Sequence, residues 1–195
     1  KAEIERQVVA VSQETAWQVI KRLVRLALPV SLSSLMLPVV ANLDLLIVPA
    51  RLETAGFSVS GATEMFGYLT GMAVPLVNLS TILTASLAIS LVPAISESRI
   101  TGDKAGIKTK LETAFSVTSI ITIPCMVGLF LLAQKVAAMI YNAPNAAPAI
   151  KTMSTAIFML GLHQVSTGIL QGLGRTVIPV INMAAAAAVK VILSW

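Results

Sequence analysis

Residues 66–92 read FGYLTGMAVPLVNLSTILTASLAISLV, without one Asp, Glu, Lys or Arg. A helix on the outside of a soluble protein keeps a charged face toward water. This stretch has no such face, whichever way a helix made from it is turned. The uncharged character extends over 65–95, which as a helix is about 45 Å long at about 1.5 Å per residue. Bilayer hydrocarbon is about 30 Å thick and needs roughly 20 residues. Comparable apolar runs lie at 26–50, 114–133, 153–173 and 177–195. The expected fold is therefore all-α: a polytopic membrane helix bundle of about five spans. Residues 1–25 are expected to form a cytoplasmic link and an amphipathic interfacial helix, and 26–195 a transmembrane lobe.

Composition agrees. The chain is 56% hydrophobic and 12% charged, against about 25% charged in ordinary soluble domains; its mean hydropathy is +0.85. A soluble bundle of buried helices is the alternative this disfavours. The net charge of +5 is placed as a topology signal rather than as a nucleic-acid surface. Lys1, Arg6, Lys21, Arg22 and Arg25 precede the first run, and Arg99, Lys104, Lys108 and Lys110 separate the second from the third. Arg175 lies between the fourth and fifth. The other side has Arg51, Lys135 and Lys151, with Lys190 in or near the last helix. The crowded side is expected to be cytoplasmic, with the N-terminus inside the cell membrane.

Trp17, Ile20, Leu23 and Val24 fall on one side of a helix over 14–25, and Gln18, Lys21, Arg22 and Arg25 on the other. This segment either lies at the interface or extends the first span. Pro29, Pro38 and Pro49 punctuate the first run, and Pro124 the third. Because the second run exceeds the hydrocarbon thickness, a tilt, or a bend near Pro75, is expected. Residues 142–148 hold two prolines and two asparagines and read as a turn-rich external loop. The single Cys125 has no disulfide partner within the chain, and residues 1–25 lack the apolar core of a signal peptide. With Trp195 inside an apolar run, the chain reads as a fragment of a longer protein.

No nucleophile–base pair, metal-ligand spacing or phosphate-cradling loop is evident, so no enzyme activity, cofactor or metal is expected. His163 is the one histidine, and Gly172–Leu173–Gly174 is too short for a nucleotide fingerprint. Polar side chains inside the spans are the better pointers, because each is costly unless it faces protein or water. Asp44 lies in the first run, with Arg51 two turns along the same face. They form a rim ion pair, or a gate or cation-coupling site. Asn78 and Thr81 share a face, as helix-packing hydrogen bonds or as the wall of a hydrated cavity. His163, Thr167 and Gln171 recur every fourth residue as a polar stripe. Gly168 with Gly172, and Gly67 with Gly71, each permit close helix approach. Lys190 follows five alanines; it either needs a partner, water or an anionic ligand, or snorkels to the interface.

Several strings resemble a known family: Leu28–Pro29–Val30, Asn42–Leu43–Asp44, the run FGYLTGMAVPL over 66–76, LVPAISE over 91–97, Ile123–Pro124, ILQGLG over 169–174 and Pro179–Val180. They are similar to polysaccharide transporters of the stage V sporulation protein B type. These belong to the multidrug/oligosaccharidyl-lipid/polysaccharide exporter superfamily. The resemblance covers about residues 26–190. It implies two lobes of six helices that rock about a central cavity, with lipid-linked cell-wall or polysaccharide precursors as cargo. The chain would then supply most of the second lobe, and its partners would be the lipid bilayer, an anionic lipid-linked sugar and the missing N-terminal lobe. Asn78, Thr81, His163, Thr167, Gln171 and Lys190 would face the cavity. One feature departs from the pattern. Related lipid II flippases carry an arginine in the helix matching 65–95, whereas this chain has no Lys or Arg between Arg51 and Arg99. A cation-coupled drug exporter of the same superfamily, using Asp44, is the first alternative, and a non-transporting membrane scaffold the second.

Overall fold

The structure, a computed structural model, describes residues 16–194. The expected link over 1–13, the beginning of the amphipathic segment and Trp195 lie outside them. Helices joined by short turns make up the described residues, with no strand among them.

Helix α1 (Ala16–Thr54) is one rod of 39 residues. The polar segment before residue 26 and the apolar run after it are thus continuous. Asn42 folds its amide back, donating from Nδ2 to the Pro38 carbonyl at 2.8 Å. An amide in an apolar helix is satisfied most cheaply by its own backbone. Gly56, at φ 97°, ends the rod, and Ser58 caps the next helix by accepting from the Gly61 N–H.

Helix α2 (Val59–Gly67), a π turn (Tyr68–Ala73) and helix α3 (Val74–Ile100) follow without a break. The distortion expected near Pro75 is this π turn. Proline has no N–H, and its ring crowds the carbonyl four residues back. The backbone widens instead of breaking, and the Val74 N–H reaches the Leu69 carbonyl, five residues back. A widened turn re-aims its carbonyls, and the Tyr141 hydroxyl donates to that of Met72 at 3.2 Å.

Gly102, at φ 72°, turns the chain into helix α4 (Lys104–Tyr141), whose first turn is capped by the Asp103 carboxylate on the Gly106 N–H at 2.8 Å. Asn142 ends α4 in the left-handed region, at φ 50°, a conformation asparagine tolerates. A 3₁₀ turn (Pro144–Ala146) then leads directly into helix α5 (Ala147–Ser154). The expected loop over 142–148 is therefore mostly wound into helical turns, because Pro144 and Pro148 each occupy a first-turn position where a missing N–H costs nothing. Helix α6 (Ala156–Gly172) is bent by 41° from the segment Pro144–Ser154. Helix α7 (Val177–Ser194) completes the described chain.

Helices α3, α4 and α6 pack together, α5 lies against α4 and the π turn, and α1 pairs with α2 and α7. Small and hydroxylated residues share the interior with branched aliphatic ones: Ala62, Ala73, Thr84, Thr118, Thr122 and Ser154 are fully buried, as are Ile95, Ile150, Ile157 and Val165. Meanwhile Leu79, Ile82, Leu83, Ile120 and Leu131 are each more than half exposed. So much exposed aliphatic surface would be costly in water but not in hydrocarbon, where burying leucine away from lipid gains nothing and close backbone packing does. Among the described residues, every buried side-chain nitrogen or oxygen has a hydrogen-bond partner. By length and composition the rods Val59–Ile100 and Lys104–Tyr141 can each cross a membrane, and the bent pair Pro144–Ser154 with Ala156–Gly172 can form a third crossing. Val177–Lys190 is a shorter apolar helix.

Candidate functional site

The seam between α3 and α6 sets the site. Gly161, Gly168 and Gly172 lie on the packed face of α6. A Cβ at Gly161 would come within 2.7 Å of the Thr122 methyl, and one at Gly172 within 2.9 Å of both Ile95 Cβ and the Val92 carbonyl. One at Gly168 would enter the Ala88 backbone. Glycine there lets two backbones touch, and the hydroxyl groups beside them tie the helices. Thr84 donates to Gln164 Oε1 at 2.6 Å. Gly67 and Gly71, spaced identically, have nothing within 4 Å of an added Cβ; that pair lies on the outer surface.

With one face of α6 locked against α3, its neighbouring face lines a groove of about 940 Å³. Ala85, Ile89, Val92 and Pro93 of α3 form one wall, Met183, Ala186 and Ala187 of α7 another, and Val40 of α1 contributes a contact. The lining is mostly aliphatic. Its polar groups are His163, Gln164, Thr167 and Gln171 along α6, and Lys190 of α7. Helical periodicity explains the stripe: residues four apart stand one above the other.

Lys190 forms an ion pair with Asp44 of α1. The lysine side chain is 46% exposed and that of the aspartate 25%. The contact ties α7 to α1 across 146 residues of sequence. Spacing along one helix had pointed to Arg51 as the neighbour of Asp44, and the fold brings Lys190 to it. Arg51 itself lies further along α1 beside a small apolar recess with Leu46, Ile47, Ala50 and Thr54.

Asn78 and Thr81 are not on the groove wall. Asn78 is exposed and Thr81 is 3% exposed, with its hydroxyl donated to the Asn78 carbonyl at 3.1 Å. Gln164 and Pro93 are groove residues that sequence alone did not single out as sites. The i,i+1 position of Gln164 beside His163 was the available signal, and Pro93 carried none. Among the described residues, no three His, Cys, Asp or Glu side chains come together to hold a metal ion.

The two most distinctive strings of the sequence meet at this seam. Residues 91–97 carry Val92 and Ile95, and residues 169–174 carry Gly172, which packs on both. Gly174, at φ 71°, reverses the chain after α6 beside the Arg99 guanidinium, and the Arg175 N–H closes the turn on the Leu170 carbonyl at 2.8 Å. A family model described as "Polysaccharide biosynthesis protein" matches residues 7–142. The chain belongs to that family. Stage V sporulation protein B of Bacillus subtilis (strain 168) is 30% identical over 145 residues, covering 74% of this chain and 28% of that protein. An uncharacterized membrane protein of the same organism, YabM, is 26% identical over 180 residues, 92% of this chain and 34% of the relative. The chain thus spans about a third of the length of these relatives. No solved structure matches it. Its long apolar helices fit a membrane protein of that family, and the likeness to stage V sporulation protein B agrees with the branch that the sequence suggested.

Proposed function

We propose that these residues form most of one lobe of a flippase that carries lipid-linked oligosaccharide or cell-wall precursor across the cytoplasmic membrane by alternating access. The single observation that supports this is the groove: a polar stripe at His163, Thr167 and Gln171, with Lys190 on the facing helix, inside otherwise aliphatic walls. Moving a sugar pyrophosphate through bare hydrocarbon is prohibitive. Polar groups along a groove substitute for water around the headgroup, while the lipid tail stays among the aliphatic walls or in the bilayer. Lys190 supplies the positive charge that residues 52–98 lack. Thr81 is buried and takes part in helix packing, whereas Asn78 is exposed on α3 and is kept as a candidate for the cavity face. The other lobe would close the groove from the opposite side. On this reading the basic loops face the cytoplasm, with the N-terminal end inside and spans at about 26–50, 65–95, 114–133, 153–173 and 177–195.

Single cysteines at positions 163, 167 and 171, in a Cys125→Ser background, test the reading by labelling with a membrane-impermeant thiol reagent. All three are expected to react, and a cysteine at Leu83, on the aliphatic outer surface, to stay inert. Uniform inertness along the stripe would leave a packed scaffold and overturn the proposal.

A second reading, a cation-coupled drug exporter, draws on the carboxylate of Asp44, which pairs with the groove residue Lys190. It requires Asp44→Asn to abolish transport; full transport by that variant counts against it.

A further inference from the structure

The Asp44–Lys190 pair joins two helices and two sequence-distant charges at the edge of the groove. Among the described residues that line the groove, Lys190 is the one charged group, with His163 beside it. The seam of α3 and α6 is locked by backbone contact at Gly168 and Gly172, whereas the Asp44–Lys190 ion pair ties α7 to α1 through side chains. Resting on the proposed function, we infer that Asp44 is a built-in competitor for the anionic headgroup. Its carboxylate holds the Lys190 ammonium that a ligand phosphate would engage, and sets how tightly that phosphate binds.

Charge decides the argument. An unpaired ammonium facing hydrocarbon is costly, so an empty groove needs a resident anion. Asp44 supplies it, and the empty lobe can change shape with that charge neutralised. When a phosphate arrives, two anions share one cation. Like charges on one site repel, so binding must displace the carboxylate or bear the repulsion. With the Lys190 side chain 46% exposed at the groove, an anion can approach it while Asp44 is still in place. Exchange, rather than prior opening of the pair, is the step this permits. Displacement also unties α7 from α1, so occupancy of the groove is communicated to the flanking pair of helices.

A purely structural ion pair predicts the opposite sign for one variant. Asp44→Asn keeps the shape and removes the competing charge. If Asp44 competes, that variant binds an anion more tightly; if it only orients Lys190, the variant binds more weakly. The experiment uses the protein encoded by the whole reading frame that contains these residues, in nanodiscs. Two probes are titrated separately: inorganic pyrophosphate in solution, and a polyprenyl phosphate doped into phosphatidylcholine. Asp44→Asn is expected to tighten binding of the effective probe by about tenfold, equivalent to about 1.4 kcal/mol, and Lys190→Met to lose it. Binding of pyrophosphate alone assigns recognition to the free phosphate group, and binding of the polyprenyl phosphate alone requires the lipid. Either supports the inference when Asp44→Asn tightens it.

Wild-type binding that is unchanged or weakened in Asp44→Asn overturns the competitor and leaves the proposed function standing. No binding of either probe to any variant overturns both. Should Asp44→Asn fail to fold, spin labels at Ala41→Cys and Ala188→Cys, with Asp44 and Lys190 intact and Cys125 replaced by Ser, give a second measurement. The distance between α1 and α7 is expected to lengthen or broaden on adding the effective probe. An unchanged distribution at saturating probe overturns the inference.

Discussion

Gly168 of α6 rests directly on the backbone of Ala88 in α3, so that a single added methyl group would enter the Ala88 carbonyl. This contact fixes the axial register of α6 on α3 and thereby turns the polar stripe into the groove. Overpacking a close contact costs about 1–3 kcal/mol. Gly168→Ala is expected to destabilise the protein by that amount, read as a lower melting temperature in detergent. Gly71→Ala, with the same spacing motif but open space around it, is expected to lose nothing. Equal loss in the two variants would contradict the packing described.

The Tyr141 hydroxyl satisfies the Met72 carbonyl in the π turn. Removing one partner of a neutral hydrogen bond costs about 1 kcal/mol. Tyr141→Phe should therefore accelerate amide hydrogen exchange over residues 68–74 more than in the rest of α3. Mass spectrometry of exchanged peptides provides the check, and uniform protection in the variant would rule out this role.

Lys110 reaches back from α4 to the end of α3, donating to the Ala94 carbonyl at 2.8 Å and the Ser98 hydroxyl at 2.7 Å. Hydrogen bonds to a charged donor contribute about 1.5–3 kcal/mol when shielded. Partial exposure reduces that to about 1 kcal/mol. Lys110→Met should lower the thermal midpoint accordingly, whereas Lys108→Met, whose ion pair with Glu112 is long at 3.7 Å and exposed, should leave it unchanged.

The Thr84–Gln164 hydrogen bond holds a groove residue to the packed seam. Bonds of this kind between membrane helices contribute about 0.6–1.7 kcal/mol. Thr84→Val and Gln164→Leu are expected to be non-additive, with a coupling in that range when a double-mutant cycle is run on unfolding free energies. A coupling near zero would dissociate the two side chains.

Much of the architecture was legible along the chain. A stretch such as 66–92 reads as a membrane helix, because it lacks a charged side to show to water. The strings over 91–97 and 169–174 suggested the family, and the structure brings them together: Gly172 packs on Val92 and Ile95, and Gly174 turns beside Arg99. The stripe His163, Thr167 and Gln171 was equally readable, because periodicity within one helix is a local property. The two glycine motifs show the limit. Gly67/Gly71 and Gly168/Gly172 share one spacing, yet only the second meets another helix. Spacing reports that a close approach is permitted, and the identity of the partner depends on how the helices assemble.

The ionisable pair marks the same boundary more sharply. Residue order alone determined that this is an apolar helical protein and which polar side chains share a helical face, since both follow from hydropathy and from rise and turn per residue. Only the assembled helices decided that Asp44 meets Lys190, that Thr81 is buried while His163 lines a groove, and that Pro75 widens the backbone into a π turn that Tyr141 can reach. Those outcomes depend on the rotation and offset of one rod against another. Close contacts at a few glycines set that geometry, and no local pattern encodes it.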